Sequence, residues 1–470
     1  MKKAVFLLLL VLGIVPLFGQ PAQKPASARD LKFGALTFKP PRAETATLSN
    51  GLRVVLLEDH ELPTIDAFAM VRTGSIYDPP DKVGLAALTG DVMRSGGTRT
   101  RKPKELNEQL EFIAASVETG IGRDSGTAGM SVLKKDFEQG LEVFADVLIN
   151  PGFDPEQVDL AKSQALELIR RRNDDPGQIT SREFNQAVYG RSHPRAREAE
   201  AAHIERITRD DMIAFHRRYF YPNSVILGVA GDFQMADLLA RLEKVFAGWK
   251  PQPVELPAVE PVRLNFDRTV YFVPRDINQT HLRLGHLGIK IDNPDFFALS
   301  VANSILGGGF SSRLFNNVRT KMGLAYAVGS SARAGMSDPG VIFAMAQTES
   351  TSTGKTLEAI LNEIKLLQSG LVTVEELAIA KETELNSFVF EFSSPAQIVN
   401  RQVQYAYYGL SPDFLERYRD NIARVTAADI QRVARQYFKP DQAIILAVGK
   451  EGDVVPVLDK YGKVVRIDLK

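Results

Sequence analysis

The sequence predicts an α+β protein made of two homologous halves, each a mainly antiparallel sheet carrying a layer of helices. Three observations lead there: an internal repeat at constant spacing, strand patterns grouped with amphipathic helices in similar order in each half, and no glycine fingerprint between a strand and a helix, which a dinucleotide-binding parallel sheet would need. At 470 residues the chain is too long for one ordinary core, and 44% hydrophobic with 24% charged residues is the balance of a globular protein.

The repeat is read without a gap. Residues 204–231, IERITRDDMIAFHRRYFYPNSVILGVAG, align with 422–449, IARVTAADIQRVARQYFKPDQAIILAVG, at an offset of 218. Thr208 falls on Thr426, Asp211 on Asp429, Phe220 on Phe438, Pro222 on Pro440 and Gly231 on Gly449. Each copy spells a threonine N-cap, an acidic first turn, a proline breaker and a run of aliphatics, hence a capped helix followed by a buried strand. DPEQVDLAK (154–162) and TVEELAIAK (373–381) correspond at an offset of 219.

From the N-terminus, Lys2 and Lys3 precede an unbroken apolar run that reaches Gly19, so residues 1–19 read as a secretory signal peptide. The run is shorter than the ~20 apolar residues of a spanning helix. The mature protein is therefore expected to be exported, in the periplasm, with no membrane span once the signal is removed. Residues 20–44, rich in Pro, Ala and Lys, read as a linker or extended arm. The first half follows at 45–250. In it LRVVLLED (52–59) and TIDAFAMVRTGS (64–75) read as paired strands, 83–94 as a helix and SGTAGMSVL (125–133) as a further strand. WKPQPVELPAVEPV (249–262) carries four prolines in 14 residues, which marks 251–261 as the linker to the second half, 262–470.

Charge and reactive side chains exclude several functions. The 57 basic and 57 acidic residues balance, and loss of the signal leaves 55 against 57, which gives no electrostatic footprint for nucleic acid or an anionic membrane. There is no cysteine, hence no disulfide framework and no thiol nucleophile. The six histidines are His60, His193, His203, His216, His281 and His286, and no two are three or four apart. His281 and His286 lie on a strand-like stretch at an odd separation that sends them to opposite faces. No G-x-S-x-G elbow occurs, although serine or aspartate sites assembled from distant residues stay open.

LSNGLRVVLLED (48–59), the GLA and GGT that flank the helix in KVGLAALTGDVMRSGGT (82–98), and LGGGFSSRLFNNVRTKMGLAYAVGSS (306–331) resemble the pitrilysin/insulinase-type zinc peptidases. Relatives of that family include the mitochondrial processing peptidase subunits and the core proteins of the respiratory cytochrome complex, and the resemblance covers nearly the whole mature chain. In catalytic members the helix carries H-x-x-E-H, two zinc ligands around a water-activating glutamate, with a third ligand, Glu, on a later helix. Aligned on the flanks, these positions are Ala87, Gly90 and Asp91 here, and LELIRRRNDDP (166–176) puts the distal glutamate on Leu168, with Glu167 beside it. A catalytic zinc needs three protein donors and an open position for water. Asp91 alone offers an oxygen, so the resemblance implies that this chain holds no metal and that zinc sits in a partner subunit.

The resemblance also implies what was kept. RTKMGLAY places Arg319 and Tyr326 seven residues apart, and family members use such a pair to hold the substrate backbone and the developing oxyanion at the zinc of another half. A forked, permanently charged guanidinium and a neutral phenol donor suit that task. Gly307, Gly308 and Gly309 fit a substrate-contacting loop as in the processing-peptidase relatives, and equally a tight entry into the following helix. The expected function is the noncatalytic subunit of an exported, heteromeric zinc metallopeptidase. It would close the chamber around peptides or unfolded polypeptides, with a catalytic homologue that carries H-x-x-E-H. The alternative is a proteolytically inactive scaffold or peptide-binding homodimer like the respiratory core proteins.

Overall fold

Burial along each strand sorts the sheets from edge to centre in the computed structural model, which describes residues 42–263, 268–411 and 413–469. The leader and most of the arm, residues 1–41, lie outside the described residues. In the first half the order is β1 (Glu44–Thr47), β2 (Arg53–Glu58), β3 (Thr64–Val71), α1 (Leu85–Ser95), α2 (Pro103–Phe112), β4 (Ser116–Ile121), β5 (Gly126–Leu133), α3 (Phe137–Ile149), α4 (Pro155–Arg171), α5 (Pro176–Tyr189), α6 (Ala201–Arg206), α7 (Arg209–Tyr219), β6 (Val225–Gly231) and α8 (Met235–Phe246). The second half runs β7 (Val270–Pro274), β8 (Gln279–Leu287), α9 (Phe296–Leu306), a π-helical segment (Leu314–Lys321), β9 (Ala327–Arg333), β10 (Val341–Glu349), α10 (Thr353–Ser369), α11 (Val374–Phe390), α12 (Pro395–Tyr408), α13 (Phe414–Arg424), α14 (Ala427–Tyr437), β11 (Ile444–Gly449), α15 (Glu451–Leu458) and β12 (Val464–Arg466).

Two six-stranded sheets result, ordered β1-β2-β6-β3-β5-β4 and β12-β7-β11-β8-β10-β9. The halves match strand for strand across five positions. β2 and β3 are not partners, contrary to the pairing expected for 52–59 and 64–75. β6 lies between them, parallel to β2 and antiparallel to β3, with Val225 opposite Val71 and Gly231 opposite Ile65. The cause is composition: every residue of β6 is buried, so the strand belongs in the middle of a sheet covered on both faces. β11 takes the same central place between β7 and β8.

The repeat is repeated in atomic detail. Thr208 and Asp211 close a capping box on α7, with Asp211 N–H donating to Thr208 Oγ1 at 3.2 Å and Thr208 N–H to Asp211 Oδ2 at 2.8 Å. Thr426 and Asp429 do the same for α14 at 3.1 and 3.0 Å. The repeat also extends to α5 and α12. Pro176 and Pro395 both open their helices, and the caps Asp175 and Ser394 accept from Gln178 N–H and Gln397 N–H.

These two helices change places. α12, from the second half, packs on β2, β3 and β6, and α5, from the first, packs on β8 and β11. Gly228 in β6 lets α12 settle: a Cβ there would lie 2.3 Å from Val399 Cγ1 and 2.8 Å from Val403 Cγ2. On the other sheet Ile179, Phe184 and Val188 of α5 pack with Val273, Leu287, Leu446 and Val448. Each sheet is thus covered by its own helices on one face and by a borrowed helix on the other. Polar contacts reinforce the exchange, with Tyr407 donating to the Asp124 carbonyl at 2.7 Å and Arg195 paired with Asp338 at 3.0 Å. Among the described residues no helix is long and apolar enough to cross a membrane.

Candidate functional site

Helix α1 is started from a distance. Gly84 takes φ 106°, a conformation glycine adopts without strain, and the Asp78 carboxylate accepts Gly84 N–H at 2.8 Å and Ala86 N–H at 2.9 Å. Asp78 is 3% exposed, and burial pushes its carboxyl up to about 6 against the opposing pull of those two donors. The helix buries Leu85, Ala86, Leu88, Thr89, Val92 and Met93 and ends at Gly96.

The helical period leaves Ala87 and Asp91 on the exposed side, one turn apart. Partial desolvation raises the Asp91 carboxyl. Gly90 is buried under β4, where a Cβ would lie 2.3 Å from Ile121 N and 2.7 Å from Gly120 C. Thr119 Oγ1 donates to the Gly90 carbonyl at 2.6 Å, so the strand rests on the helix at the position where the resemblance would put the base. Leu168 is 73% exposed on α4, which packs against α1, and Glu167 is exposed and paired with Arg170 at 3.4 Å. Among the described residues no group of three or more His, Cys, Asp or Glu is placed to hold a metal ion. One carboxylate beside an alanine, a glycine and a leucine does not fit a catalytic zinc.

The second half brings its two singled-out residues together. Arg319 lies in the π-helical segment, which is held down by buried Leu314 and Val318 and by Asn317 Nδ2 donating to the buried Glu363 at 2.8 Å. Its widened turn shows in the Met322 N–H bond to the Asn317 carbonyl, 2.9 Å. The chain then returns along β9, and Arg319 Nε donates to the Tyr326 carbonyl at 2.8 Å. The guanidinium sits 4.7 Å over the Phe315 ring, and Phe310, 82% exposed, meets Phe315 edge-on at 5.0 Å. Tyr326 N–H bonds the Gln347 carbonyl at 2.8 Å, which fixes the backbone while the ring stays 71% exposed. The terminal guanidinium nitrogens and the phenol hydroxyl make no hydrogen bond among the described residues, and both groups are exposed.

The three glycines divide. A Cβ on Gly307 would strike Ser330 N at 2.4 Å, one on Gly308 would meet Ser304 Cα at 2.8 Å, and one on Gly309 would meet nothing within 4 Å. None of the three has a positive φ. Gly307 therefore seats the end of α9 against β9, Gly308 folds back close on the last turn of α9, and Gly309 is open. Sequence reasoning passed over Phe315 and Phe310; the signal was there, since Phe315 and Arg319 stand four apart on one helical face.

Comparison with known proteins adds the family. The description "Insulinase (Peptidase family M16)" matches residues 53–197, and "Peptidase M16 inactive domain" matches residues 206–384. The chain belongs to the M16 peptidase family. Similar curated proteins include the uncharacterized zinc protease YmxG of Bacillus subtilis, 25% identical over 85% of this chain and 97% of its own length. An uncharacterized zinc protease of Rickettsia bellii is 26% identical over 83% of this chain and 94% of its own. Among solved structures, a peptidase M16 inactive domain from Pseudomonas fluorescens superposes with a TM-score of 0.79, at 27% identity, over 87% of this chain and 98% of that one. A protease from Helicobacter pylori shares the fold, with a TM-score of 0.77 at 21% identity over 87% and 99%. The M16 relationship supports the α+β, two-half architecture and spans both halves.

Proposed function

We propose that this chain is the noncatalytic subunit of an exported, heteromeric M16 zinc peptidase, working in the periplasm with a homologue that carries H-x-x-E-H and the zinc. The observation that carries this reading is an asymmetry between the halves. The metal-site positions Ala87, Gly90, Asp91 and Leu168 hold one donor, and Gly90 is packed under β4. Arg319 and Tyr326, by contrast, are adjacent, braced through backbone and ring contacts, and exposed at their reactive ends. In the complex Arg319 grips a peptide carbonyl and the Tyr326 hydroxyl donates to the oxyanion that develops at the partner's site, with Gly309 leaving room for the extended backbone. Substrates are peptides or unfolded segments, because a chamber closed by two chains admits extended polypeptide. Export follows from the Lys2-Lys3 leader.

The test is reconstitution with an H-x-x-E-H homologue encoded in the same genome. Tyr326→Phe removes one donor and keeps the ring, and loss of such a donor lowers turnover by ~10²–10³. Arg319→Lys keeps charge without the fork and also slows turnover. Assembly, followed by sedimentation, stays unchanged in both. Full turnover in both variants removes the assigned role, and a complex without turnover in any form favours the scaffold.

A further inference from the structure

Beside Tyr326 a groove of about 490 Å³ opens between the first turns of α5 and strands β8, β9 and β10, so both halves build it. Ala327 and Gln347 line it, and Gln347 is the residue whose carbonyl holds Tyr326 N–H; the groove therefore begins where the Arg319–Tyr326 pair ends. Its wall contains Arg283. That guanidinium is half-buried, lies 4.5 Å over the Phe343 ring and 5.9 Å from that of Phe184, and donates to Ser181 Oγ at 2.8 Å. No carboxylate pairs with it among the described residues. Its neighbour Arg182 is different, bonding Glu183 at 3.1 Å and Asn173 at 2.7 Å.

A cation taken partly out of water without a counter-charge is costly, and the desolvation shows as a lowered Arg283 pKa. The other groups facing it do not supply the missing charge. Burial lowers the His281 pKa, which favours a neutral ring, and the Asp175 carboxylate, which caps α5 through Gln178 N–H at 2.6 Å, makes no ion pair with Arg283 and acts on His281 instead. The aromatic faces orient the guanidinium and leave its remaining N–H groups for a planar acceptor. We propose that Arg283 is the anchor of a carboxylate subsite: it takes a carboxylate of the peptide lying at Tyr326, either the C-terminal group or an acidic side chain. The inference rests on the reading of Arg319 and Tyr326 as substrate-contacting.

The probe is a fluorescein-labelled octapeptide of Ala, Ser and Val in three forms: free C-terminal acid, C-terminal amide, and amide with one internal Glu. Anisotropy titrations use the full chain without a partner, so the result does not depend on turnover in the complex. At least one carboxylate form is expected to bind about tenfold tighter than the neutral amide, as one charge-assisted bidentate contact allows. Which form gains tells a chain end from a side chain. Arg283→Met should erase the difference while leaving the amide affinity within about twofold, and Arg283→Lys, which keeps the charge if Met unsettles the fold, should retain part of it. Equal affinities for all three peptides, a carboxylate preference that survives Arg283→Met, or no binding of any form overturns the proposal. If reconstituted turnover ignores Tyr326→Phe while the acid preference persists, the role of Tyr326 fails and the subsite stands.

Discussion

Gly90→Ala tests the close contact between α1 and β4. In an open helix interior, alanine for glycine stabilises by about 0.5–1 kcal/mol, because glycine has more conformational freedom to lose. At Gly90 the added Cβ meets Ile121 N at 2.3 Å and Gly120 C at 2.7 Å, against 3.4 Å or more in ordinary contact, so β4 must retreat by about 1 Å. The atoms met are backbone, tied on the far side by the β4–β5 ladder from Ser116↔Ser131 to Ile121↔Gly126. Overpacking of that kind costs about 1–3 kcal/mol. The clash outweighs the helix gain, and a net loss of about 1–2 kcal/mol is expected in urea unfolding. Gly452, in α15, is the control: a Cβ there meets nothing within 4 Å, so Gly452→Ala should stabilise slightly. A stabilised Gly90→Ala would refute the close approach of β4.

Three further outcomes are expected. Phe220 and Phe438, each 4% exposed at the end of a repeated helix, should lose comparable stability on truncation to alanine, about 3–5 kcal/mol by thermal unfolding. A negligible effect at one would mean the two cores are not equivalent. His216 is buried against Phe220, its Nε2–H donates to the Leu148 carbonyl at 2.9 Å, and burial lowers its pKa to about 4. The unfolded chain takes the proton near 6.5, so this contribution is whole above that pH and is lost as pH falls toward 4, about 3 kcal/mol in all. The difference between wild type and His216→Phe, measured by urea unfolding at pH 7 and 4.5, isolates it from the opposite trend of Asp78. Finally, Ala87→His, Gly90→Glu and Asp91→His together, without Leu168→Glu, should not confer stoichiometric zinc by elemental analysis, since a third ligand is still missing.

The parts legible in the sequence are those whose chemistry is local. Thr208 with Asp211, and Thr426 with Asp429, announce helix starts within four residues, and the all-apolar run 225–231 announces a buried strand. The insertion of β6 between β2 and β3 joins residues about 170 positions apart, and no local pattern near 52–75 encodes it. Arg283 shows the same limit at the site. In HLRLGHL it alternates with leucines as a solvated-face residue would, and only α5, arriving from the other half, turns that face inward. Positions 87, 90, 91 and 168 were singled out from the flanking motifs alone, and nothing in those motifs announces the strand lying on Gly90.

The exchange of α5 and α12 bears on how such a chain arises. A half cut free would carry a bare apolar stripe on its sheet and a helix with nothing to cover, so neither piece is a finished unit. Two identical half-length chains trading this helix would satisfy both needs at once, in a closed two-fold pair. In that light the proline-rich segment would be a tether across an arrangement able to hold together by mutual insertion. Once tethered, two such copies would no longer be bound to one sequence, since a single chain can change either half without the other.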